Sequence, residues 1–197
     1  MKKRALPPAE LPTLSFADSR AFSDWLADNH SSSRGLWLRL AKKASGTASI
    51  TYAEAVDVAL AWGWIDGQKQ GADEASWLQK FTPRGAKSVW SKINREKALA
   101  MIEAGTMRPS GLAEVERAKK DGRWDVAYDP PSRANVPDDL QEALSKNAKA
   151  SAFFKTLDAR NRYAVLWRVQ TTKKAETRQK RIAEFVAMLA RGEKLHP

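Results

Sequence analysis

The residues able to do chemistry in this chain begin with Asp66. In Trp64-Ile65-Asp66-Gly67 its carboxylate reads as the end of a short strand, and the glycine after it lets the backbone turn sharply at its side. Arg84 follows Pro83, which fixes the approach of its guanidinium, and Trp90, Ser91 and Asn94 open a helix whose free N–H groups favour an anion. Convergence of these pieces would make a pocket with an aromatic wall including Trp64 and Trp90, one carboxylate, one guanidinium and a helix N-terminus. A polar or phosphorylated small molecule suits it. Asp121-Gly122-Arg123-Trp124 offers a second guanidinium and another indole to the same anion site. The same residues also have an architectural reading: an Asp66 to Arg84 ion pair between sheet and loop, a helix-ending turn at Gly122, and tryptophans filling the core.

Composition closes other chemistries. The chain has no cysteine and only His30 and His196, which excludes or nearly excludes disulfide frameworks, thiolate nucleophiles, zinc–cysteine sites and Ser-His-Asp triads. His30, in Asn29-His30-Ser31-Ser32-Ser33, reads as a surface residue, and His196 as part of a fraying tail. No GxxxxGK[ST] or GxGxxG loop occurs. A hydrolase or isomerase built on Asp66 would need a second acid, with Asp73, Glu74 and Asp121 as candidates. Carboxylate, amide, hydroxyl and guanidinium chemistry survives, as does binding without chemistry; no metal and no cofactor is expected.

Charge points to anionic partners. Lys and Arg number 34 against 23 Asp and Glu, a net charge of +11, so a small anion, an acidic protein or a nucleic acid is the expected partner. Two tracks hold much of the excess: Lys80, Arg84, Lys87, Lys92, Arg95 and Lys97 against Glu96, and Arg160, Arg162, Arg168, Lys173, Lys174, Arg178, Lys180 and Arg181 against Glu176. Beside Trp77, Trp90 and Trp167 they are placed to neutralise phosphates and stack bases; the alternative is solvated helix faces with core tryptophans. No RRM, KH or zinc-finger signature favours the first.

These residues need elements to hold them. Ser15 with Asp18 predicts a capped helix to about Asn29, and Leu36, Leu38 and Leu40 alternate with Trp37 and Arg39 as in a strand. Thr51 and Glu54 form a capping box before a helix that stops at Gly63. Short strands follow at 64–67 and 75–81, then helices from Ser91 to Gly105 and from Pro109. Beyond the proline-rich stretch 129–136, helices are predicted from 137 and at 148–157, 159–171 and 174–191. The fold class is α+β, a small antiparallel or mixed sheet packed with helices and then an all-helical C-terminal region, divided as 11–128, linker 129–136 and 137–194. Arg178 falls on the apolar stripe of the last helix, where a guanidinium requires a partner; it and Arg162 are read as inter-domain or anion contacts.

The strings Ala61-Trp62-Gly63-Trp64-Ile65-Asp66-Gly67-Gln68, Phe81-Thr82-Pro83-Arg84, Ser88-Val89-Trp90-Ser91-Lys92-Ile93-Asn94 and Gly111-Leu112-Ala113 leading to Asp121-Gly122-Arg123-Trp124 resemble the bacterial YdeI/OmpD-associated family. So does the C-terminal run from Ala152-Phe153-Phe154 through Asn161-Arg162-Tyr163, Trp167 and Lys173-Lys174-Ala175-Glu176-Thr177-Arg178 to Arg181-Ile182. The resemblance spans residues 11–192. It implies a role in bacteriocin protection or resistance to cationic antimicrobial peptides, a loose likeness to YjbR/CyaY-type α+β folds, and no family reaction or cofactor. Frataxin-like iron binding would want an acidic face, which this basic chain does not supply. The start MKKRALPPAELP is broken by prolines and Glu10 before any apolar signal region forms, and no apolar run approaches the roughly 20 residues of a bilayer span, so a cytoplasmic location is expected.

Overall fold

A computed structural model describes residues 10–197; residues 1–9, with most of the basic start read above for targeting, lie outside the described residues. The chain divides into two compact units, one holding the chain up to Ala86 with Ala100–Glu114, the other Lys87–Leu99 with Val115–Pro197. Residues 129–136 belong to the second.

The first unit is built on a four-stranded sheet. Strands β1 (Thr13–Leu14), β2 (Leu36–Ala41), β3 (Trp64–Gly71) and β4 (Ser76–Pro83) lie in the order β1-β2-β4-β3, with β1 parallel to β2 and the other pairs antiparallel. The sheet is therefore mixed. The alternation in β2 does what its period requires: Leu36, Leu38 and Leu40 are at most 1% exposed and form a core with Phe22, Leu26, Ile50, Ala55, Ala59, Trp64 and Phe81. Those residues come largely from helices α1 (Ser19–Asn29) and α2 (Tyr52–Ala61). Trp37 and Arg39 alternate onto the other face.

Local chemistry sets the boundaries. Thr51 and Glu54 make the predicted reciprocal cap of α2, and Gly63 ends that helix with φ of 75°. Helix α1 starts later than Ser15 would have it. Its N-cap is Asp18, which accepts from Ala21 N at 2.9 Å, because the Phe16 carbonyl is already engaged with Ile50 N and holds the chain extended up to that point. The prediction that β3 turns at Gly67 is also corrected. The strand continues to Gly71 through a β-bulge between Asp66 and Lys69, and the buried Gln79 donates to Gly67 O across it at 2.8 Å. The turn falls instead beside Asp73, whose carboxylate accepts from Ala75 N and Ser76 Oγ.

Helices α3 (Lys92–Glu103) and α4 (Pro109–Lys120) each begin in one unit and end in the other. The rest of the second unit is helical, with α5 (Asp138–Ser145), α6 (Ala148–Thr156), α7 (Ala159–Gln170) and α8 (Ala175–Ala190) close to their predicted spans. Their apolar stripes meet in one core of Leu140, Leu144, Phe154, Val165, Leu166, Val169, Ile182, Phe185 and Leu189. The tail, read from sequence as fraying, is tied back onto α7: His196 N donates to Asn161 Oδ1 at 2.9 Å, and Asn161 Nδ2 returns a bond to His196 O.

Candidate functional site

In the first unit, Asp66 is on the core-facing side of β3, opposite Phe81, immediately before the bulge. Its carboxylate accepts from the Tyr52 hydroxyl at 2.7 Å, and among the described residues it forms no ion pair with Arg84. Tyr52 is the first residue of α2, so the capping box that orients the helix start also aims the phenol. The Tyr52 ring packs 5.8 Å from that of Trp77 on β4. Asp66 thus steadies Tyr52, and Tyr52 steadies the indole.

Trp77 floors a cleft of about 650 Å³ lined also by Ala41, Lys42, Lys43, Lys69, Gln70 and Gly71. Strand register creates it: Trp77 lies between Leu40 and Gly71 across the two ladders, and Gly71 brings no side chain to crowd the ring. The bulge restores Lys69 to the side of the sheet carrying Trp77, with Nζ 4.3 Å from the indole centroid. Lys42 donates to Asp73 O at 2.8 Å, which ties its ammonium to the turn between β3 and β4. Among the described residues neither Lys43 nor Lys69 has a carboxylate partner. Three lysines thus line a cleft floored by a half-buried indole, one with its ammonium against the ring, a lining whose chemistry suits an anion with an apolar or planar body.

The other predicted residues of this unit are inside. Trp64 is 2% exposed, its Nε1 donates to His30 O at 3.3 Å, and Trp25 meets it edge-on. Arg84 is buried and its backbone N donates to Gly63 O at 3.0 Å. His30, expected at the surface, is half-buried, with Nδ1 2.9 Å from Leu26 O and its ring beside Trp62.

The second unit gathers Trp90, Ser91, Asn94, Arg123 and Trp124 around the start of α3. Ser91 Oγ accepts from Asn94 N at 3.1 Å, as an N-cap does, so the helix start is already served by its own serine. Trp90 and Trp124 are both buried and pack at 4.9 Å, and Arg95 donates to Trp124 O. Arg123 is buried; its Nε is 2.8 Å from both Asp121 oxygens and its NH1 donates to Ser88 O at 2.7 Å. The Arg123 guanidinium holds the Asp121 carboxyl below its ordinary range, with Lys173 adding to the effect.

Asp129 is a hub of this unit. It pairs with Lys92 at 2.7 Å, exchanges bonds with Gln170, and its carbonyl accepts from the Tyr163 hydroxyl, which burial first and the nearby Tyr128 and Asp129 next push up to about 12. Arg178 spends its donors within the unit, on both oxygens of Asp139 and on Val169 O. Arg162 lies over the Phe154 ring at 4.7 Å.

Lys42, Lys43, Lys69 and Tyr52 were not singled out from sequence as site residues, and Trp77 only as a neighbour of a basic track. The adjacent lysines after β2 and the aromatic residue behind Thr51 are visible signals, but what joins them is a three-strand register.

Comparison with known families divides the chain in a related way. Residues 14–114, just over half of the chain, match the family described as a domain of unknown function, DUF8412, and the chain belongs to it. Residues 133–192 match the family described as bacteriocin-protection, YdeI or OmpD-associated. The YdeI/OmpD resemblance is thus carried by the C-terminal helices, and the motifs at 61–113 fall in the DUF8412 segment. No curated protein and no solved structure matches, so the YjbR/CyaY likeness finds no support. No described helix is long and apolar enough to cross a membrane.

Proposed function

We propose that this DUF8412 member with YdeI/OmpD-associated C-terminal helices is a non-enzymatic protein that binds an anionic ligand in the Trp77 cleft. The observation carrying the reading is a cleft floored by one half-buried indole and lined by Lys42, Lys43 and Lys69, the last with its ammonium over the ring, with the Tyr52 ring packed against the indole and held by Asp66. The arrangement favours recognition, because the Asp66 carboxylate accepts from the Tyr52 hydroxyl and the charged side chains that line the cleft are lysines, which draw in an anion. A role in bacteriocin protection accords with the description of the C-terminal family; the anion would then be a small molecule or an acidic partner.

A thermal-shift screen of inorganic phosphate, glucose 6-phosphate, AMP and glycerol phosphate at two salt concentrations tests this. At least one should raise the melting temperature of wild type, and Trp77→Ala should weaken its binding by about tenfold. Equal shifts in wild type, Trp77→Ala and Lys43→Gln/Lys69→Gln would place the ligand elsewhere.

A further inference from the structure

The opposite face of the same sheet carries a second aromatic and cationic surface. Trp37 is the second residue of β2 and is flanked on both sides, paired with Thr13 on β1 and with Lys80 on β4, and those neighbours share its face of the sheet. Helices α1 and α2 supply the core against the leucine face, so Trp37 projects to the other side. There it lines a concavity of about 540 Å³ together with Arg34, Gln70, Lys80, Thr13 and Thr82. Lys80 Nζ is 5.9 Å from the Trp37 ring centroid. Among the described residues neither Arg34 nor Lys80 has a carboxylate partner, and Glu10 at the rim is the one acid lining the concavity.

A half-buried indole in the middle of a sheet face costs burial of apolar area if nothing covers it, and unpaired cations beside it add a positive field. A nucleotide satisfies both: the base stacks on the indole, the phosphate meets the cations, and Thr13, Thr82 and Gln70 supply hydrogen bonds to base or sugar edges. We infer that this face is a nucleotide-binding platform, with Trp37 stacking one base and Lys80 and Arg34 holding phosphate. The chemistry is shared by a free nucleotide and by one unit of a single strand. Its indole and its cations differ from those of the Trp77 cleft, and Gln70 is the one described residue that lines both concavities.

The test is fluorescence anisotropy of a labelled oligothymidylate about 8 nucleotides long, over a salt series, with wild type, Trp37→Ala, Trp37→Phe and Lys80→Gln. Trp37→Ala should weaken binding by roughly tenfold with an unchanged salt slope, and Trp37→Phe should retain much of the affinity. Lys80→Gln should reduce the slope of log affinity against log salt by about 0.7, one phosphate contact. Far-UV circular dichroism of each variant checks the fold, and the Phe and Gln variants carry the test if Trp37→Ala unfolds. Competition by AMP identifies the free nucleotide as a ligand; an oligonucleotide that AMP does not displace, yet that needs Trp37, identifies the polymer. No binding at low salt, or binding indifferent to Trp37 and Lys80, overturns the inference. Trp77→Ala should leave this binding intact, so its failure and that of the Trp77 cleft are separable.

Discussion

Arg178 shows how a single side chain that looks functional in sequence is used by the structure. Its Nε and NH2 bind the two oxygens of Asp139 at 2.6 and 2.9 Å, and NH1 donates to Val169 O, so α8, α5 and α7 are joined by one guanidinium. The pairing holds the Asp139 carboxyl below its ordinary 3.8, chiefly through the hydrogen bond from Arg178. A depressed folded-state pKa adds stability above the unfolded value and loses it as pH falls through the folded one. Arg178→Met should therefore cost about 1–2 kcal/mol near neutral pH, a figure reduced because Asp139 is partly solvated. Urea midpoints of variant and wild type should draw together below pH ~4; a gap that is constant with pH would assign the loss to packing alone. At Tyr52 the expectation is different. Tyr52→Phe removes a bond between exposed groups and should change stability by less than about 1 kcal/mol, while thermal-shift ligand screens should show a weakened cleft because Trp77 loses its steadied neighbour.

Among the elements, α2 and α4 meet at their closest around Gly111. A β-carbon built there would run into Ala61 O and the Met107 sulfur, and Arg108 N already donates to Ala61 O, so the two helices approach at backbone distance. Gly111→Ala should destabilise by about 2 kcal/mol or more despite the better helix propensity of alanine. Thermal melts of that variant and of Ala113→Gly, also in α4 but exposed, separate contact from propensity: the account predicts a far larger loss at 111 than at 113. At the other end of α2, Thr51→Ala should cost about 1 kcal/mol by opening the capping box, and should also loosen Tyr52. Elements such as these were legible because their signals are local. The capping box, the alternation in β2 and the stripe of Ile182, Phe185 and Leu189 each depend on residues close in sequence. The bulge after Asp66 left no such trace, since it exists only in the pairing of β3 with β4.

For the whole molecule, the charge of +11 was legible in the sequence, but not which of its cations the fold sets beside an indole. Tryptophan content was equally ambiguous: Trp64, Trp90 and Trp124 went inside, whereas Trp37 and Trp77, on opposite faces of one sheet, line concavities with lysines. Sequence spacing could not separate these fates. Both half-buried indoles owe their cationic neighbours to cross-strand register, Lys80 for Trp37 and the bulge-shifted Lys69 for Trp77. The eight tryptophans provide a direct readout, because each indole N–H gives its own resonance in a nitrogen–proton correlation spectrum. Titrating glucose 6-phosphate, AMP or inorganic phosphate into labelled protein, with the Trp77 peak identified from Trp77→Phe, is the measurement to make. The account predicts that one of these anions moves the Trp77 resonance while those of the buried Trp64 and Trp90 stay in place. Movement of Trp90 and Trp124 with Trp77 unchanged, or no movement with any of the three anions, would contradict it.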